Sequence, residues 1–290
     1  MAPTGRRRLT PAHTTGLQRS VRGCLIGLLV VTCATIAAGG GSQAGDPPAA
    51  SAEYGGFALP DAAGTRLLLI PDVATPERLR TALCTGGGRV QVRFDRQQAA
   101  REGGNRRVTA GNFDYLAGRV FGVIGGSIDA GAACLLASDS LLAGSTILSV
   151  GRGEGSACAA RDRLSQLRDR PIVRCWPLGR ARASAAVVLV EFERRGKDAL
   201  ASVVVVDGNR AVFADYPAEY RGADQDLWRA DDAGELSPQG FEVVCLTRRG
   251  DKYALGIAWR GPEGTSLSLW ISDGDRFIQA LKDYHYHAPI

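Results

Sequence analysis

The feature that most constrains this chain is the stretch Ala185 to Pro217, which reads AAVVLVEFERRGKDALASVVVVDGNRAVFADYP. Val187 to Phe192 is β-branched and aromatic, a composition that suits a pleated, half-buried surface. Val203 to Val206 is an unbroken valine run, too short for a helix, and Asp207-Gly208 beside it is a hairpin signal. Arg210 to Tyr216 returns on the other side. The pattern predicts two consecutive hairpins with the valine strand at the centre. Valine without alternation predicts that this strand is covered on both faces.

The same rhythm recurs near the C-terminus. Phe241 to Arg248 turns at Arg249-Gly250-Asp251 into Tyr253 to Trp259, and Gly261-Pro262-Glu263-Gly264 turns into Leu267 to Ile271. Arg276 to His287 follows. The first half is less uniform. Arg66 to Ile70 reads as a strand. Thr75-Pro76-Glu77 then has the chemistry of a helix start, with Leu79, Ala82 and Leu83 as an apolar stripe and Gly86 as the stop. Arg89 to Phe94 alternates as a strand, and Ala157 to Leu167 reads as a helix. These readings predict an α+β class, mainly antiparallel β hairpins and meander, with a few short helices in the first half. The expected organisation is 1–44 export signal, 45–56 flexible lead-in, 57–180 α+β half and 181–290 antiparallel β half, the two halves being able to share one domain.

The formal charge of +5 suggests an acidic partner until its location is considered. Arg6, Arg7, Arg8, Arg19 and Arg22 precede residue 45, where there is no Asp or Glu. Subtracting these five from 35 Lys and Arg leaves 30 basic against 30 acidic residues. Nothing in that balance attracts nucleic acid over long range. The N-terminal segment itself reads as an export signal. A basic region precedes the apolar run Cys24 to Ala38, and Ser42 and Ala44 are the small residues a signal peptidase requires, which predicts cleavage after Ala44. The alternatives are an uncleaved anchor or lipidation at Cys33, the only routes by which this reading brings the chain to a membrane.

The expected compartment is therefore periplasmic or extracellular, where disulfides form. Five cysteines lie beyond the signal: Cys84, Cys134, Cys158, Cys175 and Cys245. A helix that begins at Cys158 and a strand that returns through Cys175 predict one disulfide; Cys84 and Cys134 form the second expected pair. Cys245 is left as the free thiol, expected on one strand face with Phe241 and Val243.

Chemistry-bearing patterns are sparse. Asp283, His285 and His287 sit at i, i+2 and i+4, which on a strand projects all three from one face as a candidate metal set. The connection 220–235 concentrates Asp224, Asp226, Asp231, Asp232 and Glu235, oxygen donors of the kind calcium takes, but without EF-hand spacing. Gly151-Arg-Gly-Glu-Gly155 lies between a strand and a helix yet lacks the third glycine of a dinucleotide fingerprint and the Lys-Ser/Thr of a P-loop. Glu191 and Glu193 share a strand face beside Arg194 and Arg195, which is the pattern of a solvated face. There is no G-x-S-x-G and no H-E-x-x-H. No cofactor is implied. The expectation is an exported globular protein without catalysis: a binding, inhibitor or envelope-associated domain whose partner is a protein or an envelope component. The alternative is a metal-dependent or hydrolytic enzyme with its site at Asp283, His285 and His287.

Overall fold

The computed structural model describes residues 54–151, 157–181, 185–222, 228 and 236–288. The predicted export segment lies outside them. Among the described residues sixteen strands are present, and no helical segment exceeds seven residues. The described residues all belong to one compact unit.

Six strands form a closed antiparallel barrel in the order β1-β2-β5-β4-β3-β6. They are β1 (Tyr54–Pro60), β2 (Arg66–Leu69), β3 (Leu79–Cys84), β4 (Gly88–Gln98), β5 (Gly118–Ile124) and β6 (Cys134–Ser138). Strands β3, β4 and β5 form a meander, and β6 returns beside β3, which is a Greek key. The barrel interior is packed with Leu67, Leu69, Val92, Phe121 and Leu136.

The α+β expectation is overturned here. Thr75 caps nothing with its side chain, Pro76–Arg78 make a single 3-10 turn, and the rest of the expected helix is strand β3. Leu79, Ala82 and Leu83 do have helical spacing. They are equally compatible with a strand covered on both sides, where even Thr81 is fully buried, and such a strand shows no period. Pairing with β4 and β6 decided between the two readings. Gly86 and Gly87, both with φ near +80°, form the β3–β4 turn and not a helix stop.

The second sheet has ten strands. Its sequence-local part is β9 (Ile172–Ala181), β10 (Ala186–Phe192), β11 (Asp198–Asp207) and β12 (Arg210–Glu219), followed by β13 (Phe241–Arg249), β14 (Lys252–Arg260), β15 (Gly264–Asp273) and β16 (Arg276–Tyr286). Two-residue turns join four of the hairpins: Gly196-Lys197, Gly208-Asn209, Gly250-Asp251 and Gly274-Asp275. In each, glycine takes the first position with φ between 55° and 66°, the Gly-X hairpin geometry that side chains oppose. The two meanders meet where β12 and β16 run parallel at Phe213 and Arg276.

This sheet curls until its ends meet in one short segment. Strand β7 (Thr146–Ile147) pairs with β13, the Leu148 N–H donates to Leu246 O at 2.8 Å, and β8 (Val150–Gly151) then pairs with β9. Val187, Leu189, Val203, Val205, Leu255 and Ile257 fill the inside of the curl. On the outer face of β10 and β11, Val188, Val190 and Val204 pack under Leu164 of the helix Arg161–Leu167. The valine run is therefore central and covered on both faces, as its composition predicts. Between barrel and sheet lies a third apolar layer, with Tyr54, Phe57, Leu83 and Leu135 on one side and Val244, Ala258, Leu267 and Leu269 on the other. Among the described residues no helix is long and apolar enough to cross a membrane.

Disulfides join Cys84 to Cys134 and Cys158 to Cys175, the two pairs expected from the sequence. The first links directly paired residues of β3 and β6; the second ties the 3-10 turn Ala157–Ala160, which precedes the helix Arg161–Leu167, to β9. Cys245 is the buried free thiol. It does not share a face with Phe241 and Val243. A β-bulge between Val243 and Cys245 turns it to the barrel side, where burial pushes its thiol up to about 12 and leaves it unreactive.

Candidate functional site

The barrel and the curled sheet enclose a cleft of about 430 Å³. Its floor is apolar and belongs to the sheet: Val150 of β8, Leu178 of β9, and Phe241 and Val243 of β13. All four are buried members of the packing inside the curl. Phe241 stacks on Trp259 with ring centroids 4.9 Å apart, and Tyr216 meets both rings edge-on. Burial pushes the Tyr216 hydroxyl far above its ordinary range, so it stays protonated. The floor is thus held by an aromatic cluster whose rings support one another.

The opposite wall belongs to the barrel. Thr85 and Gly86 come from the β3–β4 turn, and Asp129, Gly131 and Ala132 from the β5–β6 connection. Asp129 folds that connection on itself: its Oδ1 accepts from the Gly131 N–H at 2.8 Å, and its carbonyl accepts from the Ala132 N–H at 2.9 Å. Arg260, at the end of β14, bridges the two walls. Its Nη2 donates to Gly131 O at 2.8 Å and to Glu242 Oε2 at 3.0 Å. Glu242 is thereby neutralised, whereas among the described residues no basic side chain pairs with Asp129. Among the described residues the lining carries no Ser, Cys or His side chain. Its chemistry is an apolar floor with a hydrogen-bonding rim and the Asp129 carboxylate, which suits holding a molecule.

The residues singled out in the sequence lie elsewhere. Asp283 and His285 share one face of β16 with Nε2 and Oδ2 3.4 Å apart, and His285 is largely buried. His287 lies beyond the end of the strand, where its Nε2 stands 3.5 Å from Thr265 Oγ1. Among the described residues no three His, Cys, Asp or Glu side chains converge as a metal set. Asp224, Asp226, Asp231, Asp232 and Glu235 lie outside the described residues, as does the Gly151–Gly155 loop beyond Gly151. Trp228, from the same connection, is buried in the curl and donates its indole N–H to Tyr216 O at 2.7 Å. Glu191 pairs across to Arg174 on β9, and Glu193 lies past the end of β10.

Sequence reasoning missed Asp129, Glu242 and Arg260. The Asp-Ala-Gly run at 129–131 is a legible turn signal, but nothing local says that it faces a cleft. Glu242 and Arg260 are 18 residues apart and meet only through the β13–β14 register. No family model, no curated protein and no solved structure matches this chain.

Proposed function

We propose that this is an exported binding protein that carries out no catalytic step of its own and holds a partner, a protein or an envelope component, in the cleft between barrel and sheet. The observation that carries the reading is the make-up of the cleft. A hydrophobic floor backed by stacked aromatics supplies burial, and a polar rim supplies orientation, with no histidine or cysteine among the described lining side chains. Two disulfides are compatible with export, because such bonds persist in oxidising compartments.

The test fills the cleft without touching the core. Thr85 is half-buried at its mouth, and Thr85→Trp places an indole in the opening. Envelope extract passed over the wild-type protein and over the variant is compared by quantitative mass spectrometry. A partner retained by wild type and lost by a variant of unchanged melting temperature supports the reading; equal retention by both places binding on another surface.

A further inference from the structure

Among the described residues, the part of β13 that lines this cleft has no strand paired to one of its sides. The Arg260 N–H donates to Gly240 O at 2.7 Å and Glu242 pairs with Ala258, so Gly240 and Glu242 bond towards β14. Antiparallel alternation then turns the backbone groups of Phe241 and Val243 the other way. The Phe241 N–H is taken by Pro238 O at 3.3 Å, and the cover supplied by β7 and its neighbour begins only at Leu246. The Phe241 carbonyl and the Val243 N–H and carbonyl therefore face the cleft, and among the described residues no strand is hydrogen-bonded to them. Every strand of the barrel, by contrast, is paired on both sides. Open edges are costly to leave exposed, and a frequent use of one that lines a cavity is to receive an extended chain.

The charge of the lining selects the occupant. Among the described residues, Arg260 cancels Glu242, and Asp129 remains as one negative charge opposite the edge. We propose that the cleft takes an extended segment of a partner polypeptide, which adds as a strand to the Phe241–Val243 edge of β13 and sets a Lys or Arg side chain against Asp129. The inference rests on the cleft reading above. Backbone hydrogen bonds supply much of the affinity, the apolar floor accepts a side chain of the segment, and Asp129 supplies the preference for a cation.

The probe is a labelled heptapeptide of alternating threonine and valine with lysine at its centre, titrated against the full oxidised chain by fluorescence anisotropy. Strand addition uses one edge of the peptide. Methylating alternate backbone nitrogens on that edge should weaken binding at least about tenfold, because the methyls remove the hydrogen bonds and also clash, and methylating the other set should be tolerated. Replacing the central lysine by glutamate should weaken binding by about tenfold, and Asp129→Asn should abolish that preference. Hydrogen exchange at the Val243 amide should slow when the peptide is bound. If both methylated peptides bind as the parent does while Thr85→Trp abolishes binding, strand addition is overturned and the cleft reading stands. Binding that survives Thr85→Trp sinks the cleft reading itself. Failure of the lysine peptide to bind at all overturns strand addition, and the extract comparison then judges the cleft alone.

Discussion

The barrel and the curled sheet are both antiparallel, yet they close differently. The barrel closes through non-local pairings: β1 meets β6, and β2 meets β5, across the length of the domain's first half. The curled sheet is two meanders of Gly-X hairpins, joined by a short parallel contact and completed by a six-residue segment that crosses from β13 to β9. That segment is too short to cover the whole of β13. The part of β13 without a described neighbour on that side borders the cleft at Phe241 to Val243. A barrel that completes every pairing buries its edges, and a curl stitched by a short segment leaves one open.

Removing the disulfides should break the comparison most severely. Cys84–Cys134 spans 50 residues and Cys158–Cys175 spans 17. The loop-closure model gives about 4 kcal/mol for the longer loop and about 3 kcal/mol for the shorter. Paired Cys→Ser variants, compared by urea unfolding under non-reducing conditions, should lose stability in that order. The reverse order would mean that the barrel's non-local pairings hold without their covalent tie.

The sheet's central strand gives the next largest effect. Val204→Ala and Val205→Ala should each cost about 2 kcal/mol, from two buried methylene equivalents plus a small cavity. The two faces are covered by different layers, the helix side and the inside of the curl, so the two costs should be similar. A loss at only one position would show that one of the layers is not packed in solution.

The barrel's β1–β2 turn supplies a pH-sensitive counterpart. Burial by itself would raise the Asp61 carboxyl. The Arg66 guanidinium at 2.8 Å and the backbone N–H groups of Arg66 and Thr65 outweigh it and hold the carboxyl below its ordinary range. A carboxyl depressed in the folded state adds stability above its unfolded value, near 4, and loses it as pH falls through the folded value. Asp61→Asn should cost about 1.5 kcal/mol at pH 7, and the gap to wild type should shrink below about pH 4. Melting curves across pH 2–7 that keep a constant gap would refute the assignment.

The smallest effect belongs to the hairpin turns. Gly208→Ala and Gly250→Ala should each cost about 1 kcal/mol, since both residues have φ near +60° and the added Cβ meets only open space. Thermal melts check this; no change would mean that these turns relax to another type without loss.

Much of the curled sheet was legible in the sequence because its pairings are local. A glycine at a two-residue turn and β-branched residues on both sides specify a hairpin without reference to the rest of the chain. The barrel was less legible. Leu79, Ala82 and Leu83 fit a helical stripe and a doubly buried strand equally well, and the decision came from β4 and β6. The candidate cleft was not legible at all. Its rim draws Asp129 from the barrel and Glu242 and Arg260 from the sheet, and no spacing along the chain brings them together.

The amino-acid sequence by itself determined the valine strand, the Gly-X hairpins, a helix ending at Leu167 and the neutral balance beyond the N-terminal segment. Each follows from the conformational preference or charge of neighbouring residues. Only the tertiary structure decided that β3 is a strand, that a bulge sends Cys245 to the barrel side, and that one short segment closes the curl while leaving an edge of β13 open. Those outcomes depend on which backbone groups find hydrogen-bond partners, and the partners come from residues far apart in the chain.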